Sequence, residues 1–173
     1  MNTEELNELA IEIHELAKEK GWWDQERTRG EIYALIHSEI SEAVEEARNN
    51  LPEIYYEGHK DHPERLIKPY GELIELADVV IRCLDWMVHE GIKFTYVDPR
   101  NDVVRSYPYE LTKLEFYNLL HEQLAYLSNS QMNEFILTIE LFCYLNKWDL
   151  WGAVRIKHEY NKTRPHRHGG KMY

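Results

Sequence analysis

Apolar residues recur at three- and four-residue spacing through most of the chain. The first such stretch holds Leu6, Leu9, Ala10, Ile13, Leu16 and Ala17, one face of an amphipathic helix. Thr3 reads as its N-cap, and Glu4 and Glu5 suit the positive end of the helix dipole. Gly21, after Lys18 and Lys20, supplies the stop. The connection GWWDQERTRG leads to a second helix, predicted from about Glu31 to Arg48. Its stripe is Ile32, Leu35, Ile36, Ile40, Ala43, Val44 and Ala47. Leu51 to Lys68 is polar, contains prolines and reads as a loop. Pro69 fits the first position of a third helix and Gly91 its C′ position, with Leu73, Ile74, Ala77, Val80, Ile81, Leu84 and Val88 between them. After an irregular stretch from Ile92 to Pro108, a fourth helix is predicted over Tyr109 to Leu127. A fifth covers Met132 to Leu145, although FILTIELF also suits a strand. Asp149 caps a last helix that runs to about Lys162, before Pro165. Six helices and no clear strand predict an all-α bundle, one domain over residues 1–173.

Composition narrows the class. Of 173 residues, 43% are apolar, enough for a real core, and the net charge is −11. So acidic a chain is not expected to bind nucleic acid backbones. It can still take a polyphosphate if a divalent cation lies between the two sets of negative groups. Cys83 and Cys143 fall in apolar stretches without metal-ligand spacing and read as buried thiols. No signal-peptide pattern and no apolar run of the roughly 20 residues that span a bilayer are present, so the expected setting is the cytoplasm, away from membranes.

The candidate chemistry lies in two acidic pairs. Glu39 and Glu42 sit three apart in HSEISEAVEE, and Glu75 and Asp78 three apart in ELIELADVV. At 100° per residue, Glu39 falls between Leu35 and Ile32, inside the apolar sector, with Glu42 and Glu46 beside it. Glu45 points to solvent. Glu75, Asp78, Arg82 and Asp85 share an edge of the third helix, where Arg82 can pair with Asp78. The bland alternative is a solvated charged edge. A buried carboxylate, however, needs a partner or a metal. Four facing carboxylates suit a hard divalent cation such as Mg²⁺, with water and phosphates completing its shell.

LIHSEISEAVEEAR together with ELIELADVVIRCLDWM resembles the MazG-like all-α nucleoside triphosphate pyrophosphohydrolases. That superfamily also contains the dimeric dUTPases and the dCTP pyrophosphatases. Its mark is ExxE on one helix and ExxD on the next, here Glu39, Glu42, Glu75 and Asp78. KGWWDQER and the tail KHEYNKTRPHRHGGK are similar to the phage-type members. The resemblance covers roughly residues 11–91 and 147–172. It departs at about 92–146, where some 55 residues intervene that can reshape or cover the pocket or build an oligomer interface.

The resemblance implies hydrolysis of a nucleoside triphosphate by water to a monophosphate and pyrophosphate, in nucleotide-pool house-cleaning. Mg²⁺, or Mn²⁺ in its place, would be held by Glu39, Glu42, Glu75 and Asp78. One of these, Glu39 for instance, can instead orient or deprotonate the water. Lys157, Asn161, Arg164 and Lys171 match the tail pattern and would meet phosphate, sugar or base. The relatives pair subunits, so a homodimer or dimer of dimers is expected. Two alternatives stay open: a narrow dUTPase or dCTPase, and a non-catalytic helical module that senses nucleotides or binds a protein.

Other residues carry weaker signals. Trp22 and Trp23 can stack on a base, Trp23 being the candidate contact, or act as packing lids. His37 points away from Glu39 and reads as a surface histidine. His166 and His168 lack the further ligands a metal site needs. No Walker-type phosphate loop and no nucleophile motif is present.

Overall fold

The computed structural model describes residues 2–57, 67–98 and 111–170. It is an all-α bundle with one small hairpin. The elements are α1 (Thr3–Glu19), α2 (Arg29–Asn49), β1 (Tyr55–Glu57), β2 (Lys68–Tyr70), α3 (Glu72–His89), α4 (Lys113–Tyr126), α5 (Met132–Leu145) and α6 (Leu150–Lys162), followed by a turn at Arg167–Gly170 whose residues all have positive φ. FILTIELF is helical, within α5. Among the described residues no helix is long and apolar enough to cross a membrane.

Side-chain caps set the helix starts. Asn2, rather than Thr3, caps α1: its Oδ1 accepts from the Glu5 amide at 3.0 Å while Glu5 accepts from the Asn2 amide at 2.9 Å. Thr28 and Glu31 form the same reciprocal box, which moves the start of α2 to Arg29. Thr112 and Glu115 do so for α4, so α4 starts later than the apolar period suggested. Asp149 caps α6 as expected.

The start of α3 differs from the prediction. Pro69 does not open the helix. It lies in β2, opposite Tyr56 in an antiparallel pair with β1, so the expected loop holds one short strand on each side of residues 58–66. Gly71 takes the N-cap position instead, at φ +116°. The Leu73 amide donates to Glu53 O at 3.1 Å, and a Cβ on Gly71 would lie 2.4 Å from that oxygen. Only glycine fits there. Gly91, at φ +70°, ends the helix as predicted.

Helix α3 is the centre of the bundle, packed by α1, α2, α5 and α6. Of the predicted stripe, Leu73, Ile74, Ala77, Val80 and Leu84 are buried and Ile81 and Val88 half-buried; Leu76, Val79, Cys83 and Met87 are buried as well. Burial on nearly every face is what such a central helix requires. A solvated charged edge is therefore not open to Glu75 or Asp78.

Helices α4 and α5, from the stretch at about 92–146, cover the backs of α2 and α3. Phe116 of α4 stacks on Phe142 of α5 at 3.7 Å. The Tyr117 hydroxyl and Lys113 Nζ both donate to buried Glu72, at 2.6 and 2.7 Å, tying α4 to the first turn of α3. The chain thus supplies its own cover for part of the α2–α3 pair.

His37 is not a lone surface histidine. Its ring stacks on His121 of α4, with centroids 5.1 Å apart and Nδ1 to Nδ1 at 2.8 Å. Burial lowers both imidazole pKa values, and His37 lowers His121 further. On acidification the unfolded chain thus takes up protons first. The pair's contribution to stability is present at neutral pH and is lost as pH falls below about 6.5. Tm should fall between pH 7.5 and 5.5, and His121→Phe, which keeps the stacking, should flatten that slope. An unchanged slope would remove the pair as its source.

Candidate functional site

α1, α2, α3 and α6 meet around a cleft of about 180 Å³. On its floor Glu39 of α2 and Glu75 and Asp78 of α3 each bring a carboxylate oxygen within 4.8 Å of the others. Glu39 and Glu75 are 7% and 4% exposed. Glu42 lines the cleft but is exposed and lies outside this converging set. Glu46, predicted beside it, accepts from the Tyr55 hydroxyl at 3.1 Å. Glu45 is exposed and pairs with Arg48.

Two cations reach the floor, in a different pairing from the one expected. Arg82 does not bond Asp78 along its own helix. It crosses to Glu39, where Nε and Nη2 both donate to Oε1, at 2.8 and 2.5 Å. Asp78 pairs instead with Lys157 Nζ at 2.6 Å. Lys157, on α6, is 3% exposed, so it is no surface lysine. Packing explains the exchange. An i,i+4 pair on a surface is worth only a few tenths of a kcal/mol, whereas a buried carboxylate left unpaired costs several.

The charges perturb one another. Burial raises the Glu75 pKa to about 8, against the pull of Lys157. Burial also raises Glu39, opposed by Arg82 and reinforced by Asp78. Burial works to lower Lys157, but Asp78, Glu75 and Glu39 outweigh it and hold the ammonium above its usual range. Perturbed carboxyls converging in a cleft mark a candidate functional site. The donor set is all oxygen, the kind that hard divalent cations take, so these residues fit such an ion.

Basic side chains line the cleft as well. Lys20, Arg27, Lys68 and Arg164 line it. The guanidinium of Arg164 lies over the Tyr160 ring at 5.9 Å. Asn161, one turn beyond Lys157, also lines it, and its Oδ1 is buried with no hydrogen-bond partner. His158 Nε2 is likewise buried without one, although Glu12 lies 3.9 Å away.

The two tryptophans separate. Trp23, the candidate base contact, is outside the lining. It stacks on His89 at 4.1 Å and donates from Nε1 to Asp85 at 3.0 Å, so it packs α1 against the end of α3. Asp85 also meets His14 Nδ1 at 2.6 Å. Trp22 is the one in the cleft, edge-on to His168 at 4.9 Å, with Arg27 over its ring at 5.4 Å. Neighbours in sequence point apart, and periodicity does not resolve a connection.

The tail is docked as far as His168. The Arg167 amide donates to Lys20 O at 2.8 Å and its Nε to Gly21 O at 3.2 Å. His166 meets Asp24 at 3.3 Å. The two histidines of HxH thus turn to different partners. Lys171 lies outside the described residues. No residue of 92–146 lines the cleft among those described. Lys20, Arg27, Lys68 and Asp85 were not predicted as site residues. Only Asp85 carried a signal, as the continuation of the Glu75–Asp78–Arg82 edge.

No protein-family model matches the chain, and no curated protein or solved structure does.

Proposed function

We propose that the chain is a Mg²⁺-dependent nucleoside triphosphate pyrophosphohydrolase of MazG-like type, acting on free (d)NTPs in the cytoplasm. One observation carries the reading: three carboxylates, Glu39, Glu75 and Asp78, converge in a cleft that Lys20, Arg27, Lys68 and Arg164 also line. An acidic chain otherwise repels polyphosphate, and this arrangement is the one that accepts it with a divalent ion.

Glu39, Glu75 and Asp78 would hold the ion, with Glu42 at the edge. Bound there, Mg²⁺ would neutralise phosphate charge and supply a water of lowered pKa. The chain's own groups have the remaining roles. Lys157 and Arg164 face phosphate. Asn161 offers a buried acceptor to an N–H or O–H of base or sugar. Glu39 or a neighbouring carboxylate orients or deprotonates the water. The water oxygen attacks the α-phosphorus, the bond to the α,β-bridging oxygen breaks, and pyrophosphate leaves. Pyrophosphate release assayed across standard and modified NTPs and dNTPs, with and without Mg²⁺, tests this. No metal-dependent release from any of them ends the reading. A homodimer or dimer of dimers belongs to the same proposal, and a fully active monomer in sedimentation would remove that part.

The docked tail makes a further prediction. Deleting Arg164–Tyr173 removes Arg164 and the edge contact of His168 on Trp22. The result should be a kcat/KM about tenfold lower, roughly 1.4 kcal/mol of transition-state binding, with Mn²⁺-induced stabilisation intact. Asn161→Ala should reorder the preference among bases more than it slows the best substrate. Normal kinetics on every dNTP in both variants would make the tail a bystander.

A further inference from the structure

Three guanidiniums share the cleft: Arg27 from the α1–α2 connection, Arg82 from α3 and Arg164 beyond α6. Neither Arg27 nor Arg164 is in an ion pair among the described residues. Arg27 spends Nε on the Trp22 carbonyl at 2.7 Å and lies over the Trp22 ring. Arg164 lies over Tyr160. Burial lowers the pKa of Arg27 and of Arg164, and the nearby positive charge of Arg82 lowers both further. Arg27 and Arg164 share the void with Glu39, Glu75, Asp78 and Asp85 without being ion-paired to any of them. They suit a multiply charged anion. Guanidinium forks match phosphate oxygens in a way that single ammonium groups do not.

Arg82 adds a second feature. Its Nε and Nη2 converge on one oxygen, Glu39 Oε1, where a carboxylate could have taken the fork on two. Its side chain is 36% exposed against 9% for Glu39, so the guanidinium has room to leave and the carboxylate does not.

We propose that Arg27, Arg82 and Arg164 form a pyrophosphate cradle, and that the Glu39 contact and the phosphate contact are alternatives for the Arg82 guanidinium. Resting on the pyrophosphohydrolase reading, this places the β- and γ-phosphates, and hence the leaving pyrophosphate, under Trp22. A divalent cation and a guanidinium compete for Glu39, and phosphate gives Arg82 somewhere to go. Metal and polyphosphate therefore favour each other's binding beyond direct contact between them.

The test uses inorganic pyrophosphate and Mn²⁺ with the full chain, followed by calorimetry and by tryptophan emission. Wild type should bind pyrophosphate saturably and change its emission. Trp22→Phe should lose that change. Arg27→Gln should weaken pyrophosphate at least tenfold. Arg82→Gln should weaken it too, and should bind Mn²⁺ alone more tightly than wild type, because Glu39 has lost its competing cation. Arg82→Lys should restore part of the pyrophosphate affinity. Equal pyrophosphate affinity in wild type and both Gln variants, no pyrophosphate binding at all, or weaker Mn²⁺ binding in Arg82→Gln would overturn the proposal. The parent reading fails separately, by absent pyrophosphate release from every nucleotide.

Discussion

Glu39→Gln is expected to lower metal-dependent turnover at least a hundredfold, roughly 2.7 kcal/mol of transition-state stabilisation, while the helices stay folded. The side chain of Glu39 is 9% exposed, and the amide is nearly isosteric and neutral. The substitution thus removes a desolvation cost rather than adding one. Arg82 loses its partner, but its own side chain is 36% exposed and can turn to water. What is lost is one of the three converging oxygen donors. Binding of a ligand to the native state alone stabilises it, by about 2.7 kcal/mol at a hundred times its Kd. Wild type should therefore gain Tm with Mg²⁺ or Mn²⁺, and Glu39→Gln should gain little. Asp78→Asn should behave in the same way towards metal. Wild-type turnover and a full Tm shift in both variants would show that the converging carboxylates hold no catalytic ion.

Lys157→Met should be the most destabilising single change in the cleft. Lys157 is 3% exposed and its Nζ lies 2.6 Å from Asp78. Removing one partner of a buried pair leaves the other uncompensated, at a cost of about 3 kcal/mol. For a chain of this length that is a fall of roughly 6–12 °C in Tm. The loss should be specific in one respect. The carboxylates left without a cation attract a divalent ion more strongly, so Mn²⁺ should raise Tm further in Lys157→Met than in wild type. Turnover should still fall about tenfold or more, since the ammonium no longer meets phosphate. Thermal melts with and without Mn²⁺ decide it. An unchanged Tm, or a smaller metal shift than in wild type, would mean that Lys157 does not neutralise the carboxylate floor.

The apolar period, with end signals such as Gly21, Asp149 and Pro165, placed α1, α2, α5 and α6 within two residues, because a helix buries one face and that demand repeats every three or four positions. It also turned Glu39 inward and Glu45 outward on α2. Those are local facts, fixed by a 100° advance per residue. The caps of α2 and α4 are legible too, as the TxxE spacing of Thr28 with Glu31 and of Thr112 with Glu115. Pro69 shows the limit. It suits the first turn of a helix and it suits an edge strand, and the packing of the Gly71 backbone on Glu53 decided between them.

The site depended on more distant choices. Arg82 had an acidic neighbour four residues back and took one 43 residues away. Trp22 and Trp23 went to opposite sides of one connection. His37 met His121 across α2 and α4. In each case several partners were available, and the winner was set by where the helices cross and which groups they strip of water. Burial multiplies the strength of a charge pair several-fold over its worth on a surface, and the helix crossings that create that burial are decided by the whole core at once. The sequence determined which faces are apolar and which residues carry charge; the tertiary structure alone decided which charges meet.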